Sequence, residues 1–291
     1  MAAVCLVGLT LSVPLRAALV TPIYAIAKLA PGTPANAYQF GVFDLGNPTG
    51  SPGSYQFAWT SLGASSDTPL ANLVLNPANS EMFLQYNFNQ YRTVSTTGAI
   101  GASSLGAMST LWGMAFDNTG GLYGAHASTW YTLDPATGAT ISTTAISSVY
   151  SQFGGGLTYA SNGDFYFGSP FPSPGALFEI TAGGVSTNVG TLSGTSYNAA
   201  DWMAMFSSGA NTYLLNDDRL YEVNLSNASL SLMGTITGLP ANFEKGFSGA
   251  VGLASAPIPE PGTWAAMAIF AGGAAYVGWR RRRGQSPDQA A

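Results

Sequence analysis

Between residues 36 and 256 apolar and polar positions alternate with a period of two. The runs are short, rich in β-branched and aromatic residues, and broken by clusters of Asn, Gly and Ser. Such a pattern suits pleated, half-buried strands. One phrase recurs: an apolar strand, a polar turn, an aromatic-rich strand, a gap, then an aromatic-x-aliphatic strand entering a second polar turn. The first copy has Leu73-Val74-Leu75, a turn from Asn76 to Ser80, a strand from Met82 to Phe88, and Tyr91 to Val94. The second has Gly113 to Phe116, a turn from Asp117 to Gly121, Leu122 to Gly124, and Trp130 to Leu133. The third has Gly156 to Tyr159, a turn from Ser161 to Asp164, Phe165 to Phe167, and Leu177 to Ile180. The fourth has Met203 to Phe206, a turn from Ser207 to Asn211, Thr212 to Leu215, and Leu220 to Val223.

Phe116, Tyr159 and Phe206 are equivalent in these copies and lie 43 and 47 residues apart, the spacing of propeller blades. Two half-copies frame the series. Phe40 to Asp44 resembles a third strand, with Gln56 to Ser61 able to form a fourth, and Gly249 to Leu253 resembles a first strand. Joining them closes a ring and removes the unpaired edges that an open stack would expose. The expected fold is therefore all-β, a five-bladed β-propeller-like domain over residues 36–256; a β-sandwich built from the same hairpins is the alternative. Asn162-Gly163 is a strong hairpin signal because both residues tolerate the positive φ of tight turns.

The two ends of the chain have a different texture. Ala2 to Val13 is an apolar run of the length of a signal-peptide core, and Ala25-Ile26-Ala27 offers small residues at the spacing signal peptidase accepts. In a second frame, Arg16 belongs to the basic region and Ala17 to Ala27 is the apolar core. Both place a signal peptide over residues 1–30. At the other end, Pro259-Glu260-Pro261 precedes an uncharged apolar run from Gly262 to Trp279 and then Arg280-Arg281-Arg282-Arg283. Eighteen residues make roughly 27 Å of helix, close to the roughly 30 Å of a bilayer's hydrocarbon. Four arginines hold that end in the cytoplasm, and Trp264 and Trp279 suit the two interfaces.

These three elements in this order resemble the PEP-CTERM sorting signal of Gram-negative bacteria, over residues 257–284. The resemblance implies recognition by an exosortase, an inner-membrane intermediate with a transmembrane helix at 262–279, a periplasmic domain and a cytoplasmic tail at 285–291. It further implies cutting near Pro259-Glu260-Pro261 and transfer to the cell surface or an extracellular polysaccharide matrix. An ordinary single-span anchor is the plainer reading of the same residues.

Composition narrows the chemistry. The single cysteine, Cys5, falls within the expected signal peptide, so the exported part has no thiol and no disulfide. Residues 31–256 hold twelve acids against three bases (Arg92, Arg219, Lys245), a net charge of −9; such a surface repels polyanions and argues against nucleic acid as a partner. His126 is the single histidine, which excludes metal sites built on several imidazoles and leaves one candidate base for a nucleophilic triad, with no nucleophile motif beside it.

Asp201, Asp217 and Asp218 are the carboxylates to consider for a glycan hydrolase or lyase. Asn216-Asp217-Asp218 reads first as a hairpin turn, and Ca²⁺ held by Asp217 and Asp218 is its functional reading; no other cofactor is expected. Trp112, Trp130, Trp202, Tyr123, Tyr166, Tyr213 and Tyr221 offer flat faces to sugar rings, yet their equivalent repeat positions favour blade packing. Trp130, just beyond a loop, is the candidate to face a ligand. The reading that results is an exported, non-enzymatic binding or structural propeller. A glycan-active enzyme with paired carboxylates and a protein-binding propeller of a surface assembly are the alternatives. Acids clustered at one mouth of the ring would mark the enzyme, exposed aromatics without paired acids a binding module, and a continuous apolar patch a protein binder.

Overall fold

The computed structural model describes residues 21–30, 38–146, 155–171, 173–198 and 202–252. Among these, every regular element is a strand. The residues expected to form the leader's first part (1–20), the sorting signal with its transmembrane helix (257–284) and the tail (285–291) lie outside the described residues, as does Asp201.

The described chain opens with β1 (Pro22–Leu29), β2 (Tyr38–Asp44), β3 (Tyr55–Ala58) and β4 (Thr60–Ser61). Four repeats follow. They are β5 (Leu70–Leu75), β6 (Met82–Tyr86), β7 (Gln90–Val94) and β8 (Gly106–Ala107); then β9 (Gly113–Phe116), β10 (Leu122–His126), β11 (Thr129–Leu133) and β12 (Thr140–Ala145). The third is β13 (Gly156–Tyr159), β14 (Phe165–Ser169), β15 (Ala176–Ile180) and β16 (Ser186–Thr191); the fourth is β17 (Met203–Ser208), β18 (Asn211–Asn216), β19 (Arg219–Val223) and β20 (Leu230–Thr237). A last strand, β21 (Phe243–Gly252), ends the described part.

Each repeat is one antiparallel meander, paired in chain order. The turns explain the registers. Asp117 Oδ1 accepts from the amides of Thr119 and Gly121, both at 2.8 Å, which reverses the chain so that Phe116 pairs with Leu122. Gly163, at φ +95°, closes the equivalent turn of the third repeat, its amide bonded to Ala160 O. The fifth sheet has the order β21-β1-β2-β4: its inner strand comes from the end of the domain and its other three from the start.

The inner strands β5, β9, β13, β17 and β21 each touch the next, and β21 touches β5. The ring is closed, and the fold is a five-bladed β-propeller; the sandwich alternative falls away. Five apolar cores lie one between each pair of neighbouring blades. Val74, Phe83 and Tyr91 of the first repeat pack with Met114, Phe116 and Leu133 of the second, and the other four cores follow the same scheme around the ring. Close approach of the inner strands requires glycine at two points. A Cβ on Gly249 would run into the Leu73 amide nitrogen, and one on Gly156 into that of Met205.

One expectation meets an unexpected strand here and another is corrected. Residues 22–29, which the leader reading gives to the signal peptide, form β1, the second strand of the closing blade. It pairs with β2 from Pro22↔Asp44 to Lys28↔Tyr38 and with β21 from Ile23↔Gly252 to Leu29↔Phe243. Ile23, Ala25 and Ala27 enter the core shared with the fourth repeat, whereas Tyr24 and Ile26 enter the core shared with the first. A strand buried on both faces reads as an unbroken apolar run, which periodicity alone does not distinguish from a leader. The correction concerns Gln56 to Ser61. Tyr55–Ala58 pairs in parallel with β20 of the neighbouring blade, and Thr60–Ser61 alone closes β2. Phe57, 1% exposed, and Trp59, 6% exposed, fill the core between those two blades, with Trp59 packed on Phe247 at 6.0 Å.

Candidate functional site

The C-terminal ends of all five inner strands line one cavity of about 420 Å³. Asn72 near the start of β5, the residues just before β9, β13 and β17 (Trp112, Gly155 and Trp202) and Ser248 in the middle of β21 line a void of about 10 Å³. All five therefore run the same way through the central channel, which is wide at one mouth and constricted at the other. A void of that size has room for about one water.

At the wide mouth the floor is apolar. Leu73, Met114, Leu157 and Met205 come from four different blades, with Val251 from the fifth. The rim is polar and, apart from Asp117, uncharged. Tyr159 donates its hydroxyl proton to Asn118 Oδ1 at 3.3 Å, joining the second and third repeats. Thr158 Oγ1 and Ser207 Oγ are 3.0 Å apart, and Ser161 Oγ donates to Ala210 O at 3.3 Å; both contacts join the third and fourth repeats. Of the lining residues Asp117 alone carries a carboxylate. Its Oδ1 is engaged by the turn amides and by the Thr119 hydroxyl at 2.8 Å. Burial raises the pKa of the neighbouring Tyr123 phenol, and the Asp117 carboxylate adds to that rise. Two carboxylates facing a sugar, the pair most glycoside hydrolases use, are not brought together among the described residues of this mouth.

The constricted mouth is closed by aromatic and amide side chains. Trp112 lies 4.5 Å from the His126 ring, centroid to centroid, and its buried indole N–H has no hydrogen-bond partner among the described residues. Lys28 Nζ sits 4.8 Å from the Trp202 ring centroid. Asn72, at φ +52°, donates to Gln85 Oε1 at 2.9 Å and to Leu111 O at 3.1 Å. Gln85, fully buried, donates in turn to Phe88 O and Ser109 O, both at 2.8 Å. Burial lowers the pKa of His126.

Trp130, expected to face a ligand, is buried in the core between the second and third repeats. It is 1% exposed, packs against Phe165 at 5.1 Å, and its indole N–H donates to Ala182 O at 3.2 Å in the next repeat. Tyr166, Tyr213 and Tyr221 are likewise buried in the cores. Asp217, at φ +56°, and Asp218 form the turn between β18 and β19, where Arg219 lies 3.5 Å from Asp217 Oδ2 and 4.0 Å from Asp218 Oδ1. They lie at the end of the blade opposite the wide mouth. Among the described residues no three of the His, Cys, Asp and Glu type come together as a metal site. Sequence reasoning missed the floor residues Met114, Leu157 and Met205. The available signal was the repeat alignment itself, since the first strand of a blade is innermost and its last residues face the channel.

Comparison with known proteins bears on the C-terminal segment more than on the ring. No curated protein matches the chain. Among solved structures, a nidogen/laminin complex is similar at 8% identity and TM-score 0.49, covering 81% of this chain and 99% of that one. TolB from Acinetobacter baumannii is similar at 13% identity and TM-score 0.43, covering 74% and 53%. A protein of unknown function from Bacteroides caccae is similar at 8% identity and TM-score 0.42, covering 80% and 99%. Likeness at this level adds nothing to the strand order, which rests on the pairing itself. Residues 257–283 match the PEP-CTERM protein-sorting motif. The chain is thus a five-bladed β-propeller carrying a PEP-CTERM sorting motif, which implies an exosortase as processing partner and export through a membrane-held intermediate.

Proposed function

We propose that this protein is a non-enzymatic binding module of the cell surface or extracellular matrix, and that the wide mouth takes an uncharged segment of extracellular polysaccharide. The observation that carries this reading is the make-up of the mouth: an apolar floor, a rim of hydroxyls and amides, and a single carboxylate already engaged in a turn. Sugar rings present apolar C–H faces and peripheral hydroxyls, and a pocket of this size is in the range of small-ligand sites. The described exterior favours this over docking of a protein partner. Among the described residues its large exposed apolar side chains are Leu105, Ile141 and Val185, one from each of three blades.

The test uses the processed protein recovered from the culture fluid. Calorimetric titration with neutral oligosaccharides cut from the producing cell's own matrix should show binding that Tyr159→Ala weakens about tenfold, a loss of about 1.4 kcal/mol. Failure of all fragments to bind, or equal binding by the variant, refutes the assignment of this mouth. Release of shorter sugars during the titration would favour the enzyme instead. The export half of the proposal is tested separately: Glu260→Ala should leave unprocessed chain in the inner membrane.

A further inference from the structure

β1 occupies a stretch that a leader reading discards. Ala25-Ile26-Ala27 has the small-x-small pattern at which signal peptidase cuts. Yet Ile23, Ala25, Ile26 and Ala27 are all 0% exposed, in cores on both sides of the sheet. Both ends of the strand are tied. The Thr21 amide donates to Asp44 Oδ1 at 3.1 Å, and Thr21 O accepts from the Leu45 amide at 3.0 Å. The Ala30 amide donates to Asn242 O at 2.6 Å. Lys28 Nζ lies 3.4 Å from Glu244 Oε2 on β21. A cut after Ala27 would take away the strand that joins β21 to β2, leaving those two about 9.6 Å apart, twice the spacing of hydrogen-bonded neighbours. The inner strand of the closing blade would then be held by its neighbours in the ring but by no partner in its own sheet.

We infer that β1 belongs to the exported protein and that signal peptidase cuts N-terminal to Thr21. Of the two leader frames, the one with its apolar core at Ala2 to Val13 is compatible with the fold; the one that uses Ala17 to Ala27 consumes a structural strand. The inference rests on the export reading for there being a cut at all, and on β1 for where the cut falls.

N-terminal sequencing and intact mass of the protein in the culture and surface fractions test it. A first residue between 14 and 21 is expected. A first residue at Pro22 or beyond, or an exported chain still carrying residues 1–20, overturns the inference. A surface protein beginning at Lys28 sinks the inference and leaves export standing, whereas full-length chain confined to the cytoplasm sinks both. A variant of the full chain provides an independent reading. Ile26→Asp puts a charge into a fully buried site, so protease-resistant protein in the surface fraction should fall at least tenfold. If residue 26 is instead discarded with the leader, whatever variant protein reaches the surface has wild-type mass and melting, and the inference fails.

Discussion

Replacing Gly249 by alanine adds one methyl group where two inner strands nearly touch. The nearest atom to the new Cβ is the Leu73 backbone nitrogen, closer than 3.0 Å, followed by the Asn72 nitrogen at 3.1 Å. Real Cβ atoms need roughly 0.5–1 Å more, and a backbone atom cannot swing aside as a side-chain end can. The ring has to widen at the seam between β21 and β5, loosening the core that Leu70, Leu73 and Tyr24 share there. Overpacking of this kind costs about 1–3 kcal/mol. For a domain of this size 1 kcal/mol corresponds to about 2–4 °C in Tm, so Gly249→Ala should melt about 2–12 °C below wild type. Urea unfolding followed by tryptophan fluorescence supplies the free energy directly. Gly183→Ala is the matched control, because its nearest neighbour, Thr181 Oγ1, stands 3.8 Å from the added atom; it should stay within about 0.5 kcal/mol of wild type. Since the obstruction is backbone, Leu73→Ala in the same chain should not restore stability. Wild-type stability for Gly249→Ala, or rescue by Leu73→Ala, would refute the claim that backbone contact between inner strands sets the ring's diameter.

Gln85→Leu removes the donor to two carbonyls and the acceptor of Asn72 in a fully buried position, and should cost about 3 kcal/mol in urea unfolding. Trp130→Ala should cost about 3–5 kcal/mol while leaving oligosaccharide affinity in the folded fraction unchanged; a selective loss of binding would return Trp130 to the ligand site. Acidification should weaken the fold through His126. Burial holds its folded pKa below the ordinary 6.5, so between those two pH values the unfolded chain binds more protons and stability falls as pH drops. His126→Gln should flatten that part of the stability curve, and an unchanged slope would place the effect elsewhere.

The blades were legible in the sequence to the extent that their strands bury apolar side chains. Gly113–Phe116 and Gly156–Tyr159 were read to the residue, because an inner strand packs on both sides and ends at a polar turn. The outermost strands carried no such signal. All six residues of β12, Thr140–Ala145, are exposed, and β16 is Ser, Thr, Asn and Gly apart from Val189, with half of its residues exposed; their pairing comes from the neighbouring strand, which sequence periodicity does not register. β1 failed for the opposite reason, since burial on both faces erased its alternation. The candidate site was illegible one residue at a time. Its floor collects single side chains from strands spread between Leu73 and Val251, and proximity of that sort follows from ring closure, not from any local motif. Trp130 illustrates the converse: a position beside a loop says nothing of a neighbouring blade that covers it.

The closing blade also sets a timetable. Ile23 and Gly252 are partners although about 230 residues separate them, and bringing such distant points together costs about 5 kcal/mol of chain entropy beyond a constant. Synthesis delivers the three outer strands of that blade first and its inner strand last. Until Phe243–Gly252 emerges, β1 has one open edge and the channel one missing wall, so the wide mouth does not exist as a site. Completion of the fold is thereby deferred to the end of the chain's passage, with the sorting motif only a few residues behind. The last strand and the sorting motif are made in immediate succession because they are neighbours in sequence.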